Sequence, residues 1–219
     1  MIKFPDPEDA NEDGLLAIGG NLEPETLLAA YAKGIFPWYS DAGGPILWWS
    51  PDPRMVLVPG EFHCSRRLAR RIKQPQYRFS WGEAFDEVVH HCAEVPRKGQ
   101  NSTWIFPEMI EAYRQLHAAG HAHSVEVWEG DVLLGGLYGV LLDGLFFAES
   151  MFSLSRDGSK MALAKLVERA LKKGWKLIDC QFHTSHLASL GAREIPRREF
   201  LRRLHSPADA AILGEEEKS

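Results

Sequence analysis

The strongest constraint on the fold lies between His123 and Gln181. Three runs rich in β-formers, 123–128, 132–142 and 145–152, are separated by a Gly130-Asp131 pair and an Asp143-Gly144 pair, the turn chemistry of tight hairpins. They predict a three-stranded antiparallel meander. A helix follows over 159–173, with Met161, Ala164, Leu166 and Leu171 at helical spacing and Gly174 as its stop. The apolar run 176–182 then predicts a fourth strand beside the meander. A meander, a helix and a returning strand imply helices packed against a sheet, hence an α+β chain with α-β-α layering and a mixed sheet. Gly135, Gly136 and Gly139 weaken the middle strand and point to a bulge or to a ligand close to its backbone.

The returning strand ends in Asp179, Cys180 and Gln181. Alternation puts Asp179 and Gln181 on one face and Cys180 on the other. A carboxylate and an amide at the end of a buried strand are costly unless something occupies them, so the pair is a site candidate, with a loop-bracing role as the alternative. Glu149 ends another apolar strand; if the two strands are neighbours, both acids face one crevice at the strand ends. The two acids could then hold an ammonium group, or one could assist an amine nucleophile. Cys180 with His183 or His186 would suit a thiol nucleophile, but the sulfur faces away from Asp179. His90, His91 and Cys92, and His121 with His123, match no metal-ligand spacing, so no metal is expected.

Upstream, Pro24 to Gly34 reads as a short helix, Pro first and Gly last. Residues 35–54 crowd Phe36, Trp38, Tyr39, Trp48 and Trp49 between prolines, which suits neither an amphipathic helix nor a regular strand. This is expected to be a rigid aromatic loop, either filling a small core or stacking nucleobases. A strand begins at Arg54. Ser65 caps a helix carrying Arg66, Arg67, Arg70, Arg71 and Lys73 without an acid, with Leu68 and Ile72 inward. In a chain of net charge -5 such a helix is either a solvated face or a phosphate-binding footprint. Helices are expected over 82–95 and 107–119, the second with Met109, Ala112, Tyr113 and Leu116 inward, and a polar loop over 97–103 could serve as a lid. Arg156 to Lys160, at the start of the 159–173 helix, suits an anion, which would fit a coenzyme A dependent N-acyltransferase as a second reading; a non-catalytic RNA-binding module is a third.

At 219 residues the chain can bury one domain plus a small subdomain. Expected divisions are 1–55, a small subdomain bearing the aromatic loop; 56–205, the catalytic domain; and 206–219, a flexible tail. No run reaches the roughly 18 apolar residues that a membrane helix needs, and the amino end lacks the apolar core of a signal peptide. Three separated cysteines imply free thiols and a cytoplasmic setting.

Seven segments carry more than pattern: GIFPWY at 34–39, LWWSPDPR at 47–54, GHAHSVEVW at 120–128, GGLYGV at 135–140, ESMFS at 149–153, LIDCQ at 177–181 and ASLGAREIPR at 188–197. Together, in unbroken order, they resemble the leucyl/phenylalanyl-tRNA-protein transferase family. The resemblance implies an N-acetyltransferase-like catalytic domain, a bacterial cytoplasmic enzyme, and no metal or coenzyme. It implies transfer of leucine or phenylalanine, and weakly methionine, from aminoacyl-tRNA to the amino terminus of proteins or peptides beginning with Arg or Lys, which marks proteins for degradation. By the same resemblance, Asp179 and Gln181 act on the attacking amine and Glu149 holds the amine of the aminoacyl group. Trp104, Leu137, Phe146 and Ile178 line the donor side-chain pocket, with Leu137 where the family carries Met. Tyr31 and Trp38 lie near the terminal adenosine, and the 66–73 helix meets the acceptor stem. Thr184 replaces an Asn of the family pattern.

Overall fold

The computed structural model describes residues 3–39, 43–95 and 105–206. The 97–103 loop, Trp104 and all but the first residue of the 206–219 tail lie outside them. Two sheets organise the chain. A small antiparallel sheet joins β1 (Leu15–Ile18), β3 (Leu47–Trp49) and β2 (Phe36–Trp38) in that order, with α1 (Pro24–Tyr31) between β1 and β2. The stretch expected as an aromatic loop therefore supplies two strands. Pro37 is tolerated because β2 is an edge strand, where a missing N–H donor costs least.

The large sheet has seven strands, in the order β10 (Arg193–Ile195), β4 (Arg54–Leu57), β9 (Leu177–Gln181), β8 (Leu145–Ser153), β7 (Val132–Leu142), β6 (Ala122–Glu129) and β5 (Tyr77–Trp81). The β6-β7-β8 meander is as expected, and β9 lies beside it. Among the described strand pairs only β8 and β9 run parallel, so the sheet is mixed. Strand β5 was not anticipated, although Tyr77, Phe79 and Trp81 alternating with Arg78 and Ser80 give the period-two signal of a strand.

On one face of the sheet lie α1, α3 (Phe85–Glu94), α4 (Pro107–Ala118) and α7 (Arg197–His205), with Leu27, Val88, Met109, Leu116 and Phe200 in a core shared with Tyr138, Val140 and Phe147. The other face packs against α2 (Arg66–Ile72) and α5 (Gly158–Lys173), whose Leu68, Met161, Leu163 and Leu166 meet Val127, Leu137, Phe146 and Ile178. A short helix, α6 (Ser185–Ala188), precedes β10. The expected α-β-α layering and α+β class are thus present.

The glycines of β7 serve packing. A Cβ on Gly135 would lie 2.7 Å from the Gly158 backbone, where α5 begins. Gly139 sits at an irregularity in the β7–β8 register, and a Cβ there would overlap the Phe147 carbonyl oxygen. Gly139→Ala is therefore expected to cost about 2 to 3 kcal/mol, as overpacking does, read as a lower midpoint of urea unfolding at unchanged slope.

Candidate active site

The β8–β9 pairing runs only through Leu145, Phe146 and Phe147 against Leu177, Ile178 and Asp179. Beyond it β8 stays with β7 to Ser153, while β9 reaches Gln181 paired to β4. The two parallel strands part at their carboxyl ends, and Glu149 and Gln181 lie on either side of the parting. Crevices of this kind are where open α/β sheets bind ligands.

Asp179 is fully buried. Its carboxylate accepts from Arg54 Nε at 2.8 Å and Nη2 at 2.6 Å, a bidentate pair, and Oδ1 also accepts from the Gln181 backbone N–H at 3.0 Å. The Arg54 guanidinium is held between the rings of Phe36 and Phe200, 4.7 and 4.5 Å from their centroids. The resemblance assigns Asp179 to the attacking amine; in the structure both of its oxygens are held by Arg54 and by the Gln181 backbone. The residue whose N–H it accepts, Gln181, takes the left-handed φ of 55° at the strand end. The Gln181 side chain is buried, and its Nε2 has no hydrogen-bond partner among the described residues.

Glu149 is only partly buried. Its Oε1 accepts from Tyr31 Oη and its Oε2 from Tyr113 Oη, both at 2.8 Å, and the two hydroxyls are 2.6 Å apart. Burial pushes Glu149 up to about 7; the tyrosine hydrogen bonds oppose the rise, the Asp179 charge adds to it and Arg54 counters. Tyr31 is fully buried, with its ring 4.9 Å from that of Phe147. Its hydroxyl contacts Glu149 in the structure. Trp38 is different. Its partly buried ring forms a trio with Trp49 at 5.9 Å and Phe182 at 5.1 Å, next to Gln181.

Leu137, Phe146 and Ile178 come together on adjacent strands, fully buried beneath α5. Strand alternation places them on the face opposite Asp179 and Glu149, so the apolar trio and the acids meet only where β8 and β9 part. Cys180 points to that same apolar side; burial pushes its thiol up, which removes it as a nucleophile. No group of three metal-ligand residues occurs among the described residues.

The basic helix α2 is capped by Ser65 Oγ, which accepts from Leu68 N at 3.2 Å. Arg66, Arg67, Arg70 and Lys73 are exposed and Arg71 partly so. At the start of α5 the Asp157 carboxylate stands 3.8 to 4.0 Å from Arg67, Arg71, Arg156 and Lys160. Ser159 N already donates to Ser153 Oγ at 2.7 Å. The chain's own acid occupies the cationic ring that a coenzyme pyrophosphate would need, which removes the main support for the second reading.

Residues 56–205 match the family described as leucyl/phenylalanyl-tRNA protein transferase, and 20–52 match that family's N-terminal domain. The chain belongs to this family. A leucyl/phenylalanyl-tRNA–protein transferase of Anaeromyxobacter sp. strain Fw109-5 is 56% identical over 97% of this chain and 90% of its own. Another, from Myxococcus xanthus, is 54% identical over 90% of this chain and 84% of its own. By its family, the transferase is an aminoacyl-tRNA-dependent enzyme. Among solved structures, a GCN5-related N-acetyltransferase from Kribbella flavida aligns over 75% of this chain and 58% of its own at 11% identity and a TM-score of 0.41. None of the described helices is long and apolar enough to cross a membrane. Thr184 Oγ1 accepts from Leu187 N at 3.2 Å and caps α6.

Sequence reasoning missed Arg54 and Tyr113 as site residues. Locally, Arg54 is only a strand start and Tyr113 only a core position. Their partners lie 125 and 36 residues away, beyond the reach of any local pattern.

Proposed function

We propose that the transferase joins leucine or phenylalanine, and methionine weakly, from aminoacyl-tRNA to the α-amine of proteins whose first residue is Arg or Lys, marking them for degradation in the cytoplasm. The observation that supports this most directly is Glu149: a carboxylate raised to about 7, on a residue that is not fully buried, at the parting of two parallel strands. The α-amine attacks the ester carbonyl, the amide C–N bond forms, and the ester C–O bond to the ribose breaks. The attacking amine must lose a proton, and the departing ribose oxygen must gain one. Of the two acids Glu149 is the one that is not fully buried as a residue, and it receives the proton, at a pKa matched to neutral conditions. Gln181, fixed by Asp179, offers the unpartnered Nε2 to the carbonyl oxygen as charge develops there.

The donor side chain enters between the parted strands toward Leu137, Phe146 and Ile178. An apolar pocket separates leucine from methionine by only about 1 to 3 kcal/mol, whereas a charged side chain is rejected far more strongly. The partly exposed rings of Trp38, Trp49 and Phe182 receive the terminal adenosine, and α2 meets the acceptor stem through its exposed cations.

The test is incubation of an Arg-initiated peptide with leucyl-tRNA. The expected product is heavier by one leucine residue, is absent when ribonuclease is added first, and does not form on a peptide starting with Glu. Equal transfer from a tRNA carrying a charged amino acid would overturn the pocket, and acetyl transfer from coenzyme A without RNA would overturn the donor.

A further inference from the structure

The outer edge of the large sheet carries a second feature that the reaction does not use. Strand β5 ends the sheet, and between it and the exposed side of α5 runs a groove of about 300 Å³. Phe79 and Trp81, both partly exposed, form one wall. The other is Lys165, Arg169, Lys172 and Lys173, four cations against the single acid Glu168. Arg169 stacks over the Trp81 ring at 4.0 Å, and Lys165 Nζ lies 5.0 Å from the centre of Phe79. Glu168 is shared between Lys165 at 2.7 Å and Lys172 at 2.9 Å, leaving Arg169 and Lys173 without a carboxylate among the described ion pairs.

We propose that this groove binds the phosphate backbone of the tRNA body, as a second contact beyond the acceptor stem. Three observations converge. The transferase carries a net charge of -5, so a local excess of four cations to one acid runs against the molecule's average. The groove shares both of its walls with elements tied to the basic helix: α2 lies against α5, Arg71 Nη1 donates to the Arg156 carbonyl at 2.7 Å just before α5 begins, and the chain passes from Lys73 into β5 within four residues. Aromatic walls interleaved with cations are also the surface that RNA strands use, rings for sugars and bases and cations for phosphates. A peptide strand could pair with the free edge of β5, but an acceptor headed by Arg or Lys would be repelled by this wall. The proposal rests on the reading of α2 as a tRNA-facing helix.

The experiment compares Arg169→Gln/Lys172→Gln/Lys173→Gln and Arg66→Gln/Arg70→Gln with the unaltered protein, after matched thermal unfolding shows each to be folded. Binding of uncharged leucine-accepting tRNA is measured across salt concentrations. The groove variant is expected to bind about tenfold more weakly at low salt, and its slope of log affinity against log salt to flatten by about two or more, near one for each phosphate that is no longer neutralised. KM for aminoacyl-tRNA should rise by the same factor, and KM for aminoacyl-adenosine, which has no tRNA body, should not follow it. An unchanged slope in the groove variant, with a flattened one in the α2 variant, would reduce the groove to a solvated face. Weaker peptide binding with unchanged tRNA binding would assign the edge to a peptide instead. Failure of the unaltered protein to transfer leucine from tRNA at all would strike the reaction itself, a result separable from both.

Discussion

Arg54→Ala is expected to destabilise the transferase by about 3 to 5 kcal/mol, because it leaves the Asp179 carboxylate charged, fully buried and without its bidentate partner. That is about a fifth or more of the stability of an ordinary domain, and it should appear as a large fall in the denaturation midpoint. Arg54→Lys should recover only part of the loss, since a compact ammonium cannot reproduce the two-pronged geometry or lie flat between Phe36 and Phe200. The informative variant removes both charges. Arg54→Met/Asp179→Leu replaces a buried pair by apolar side chains, a change that is often neutral for stability. It also deletes the acceptor that holds Gln181 N at 3.0 Å in a left-handed conformation. Stability should return and transfer should not. A double variant that is both stable and fully active would show that Asp179 has no part in placing Gln181.

This pair also marks where sequence reading stops. Hairpin glycines, the αL stop at Gly174 and the apolar spacing of α4 are local, and each element they imply is present: the 107–119 expectation even selects the residues that are buried, Met109, Ala112, Tyr113 and Leu116. Asp179 and Glu149 stood out for a local reason too, as acids at the ends of apolar strands. Their surroundings did not. Whether a carboxylate meets an arginine or two tyrosines depends on which distant element the sheet lays beside it, and β4, α1 and α4 are each remote in sequence from β8 and β9. The aromatic stretch failed for a related reason. Whether Pro37 excludes a strand depends on whether that strand is an edge, which topology alone decides. Leu137, Phe146 and Ile178 gather as a group, yet only the paired register shows that alternation turns them away from the acids.

Glu149→Gln should lower the rate of transfer by about 10² to 10⁴, the usual worth of a positioned proton acceptor, with a much smaller effect on tRNA binding. The amide keeps the shape: its oxygen still accepts from one of Tyr31 and Tyr113, and its NH2 must donate to the other hydroxyl, which turns to accept, so matched thermal unfolding is needed before the loss is read as proton transfer. The pH profile gives the sharper reading. In the unaltered enzyme Glu149 must be ionised, so the rate should climb through about 7, with the acceptor α-amine adding a second rise near its own value of about 8. In the variant only the second rise should remain. Stability should move the opposite way. Because burial raises Glu149 from an ordinary 4.5 to about 7, the folded state holds this proton more tightly than the unfolded chain does. Its contribution is complete below about pH 4.5 and is lost as pH rises to about 7, and Glu149→Gln should flatten that slope. An enzyme that gains rate over the pH interval in which its fold loses support from the same carboxyl group would tie both effects to one desolvated acid. A variant that kept the limb near 7 would assign the proton to some other group.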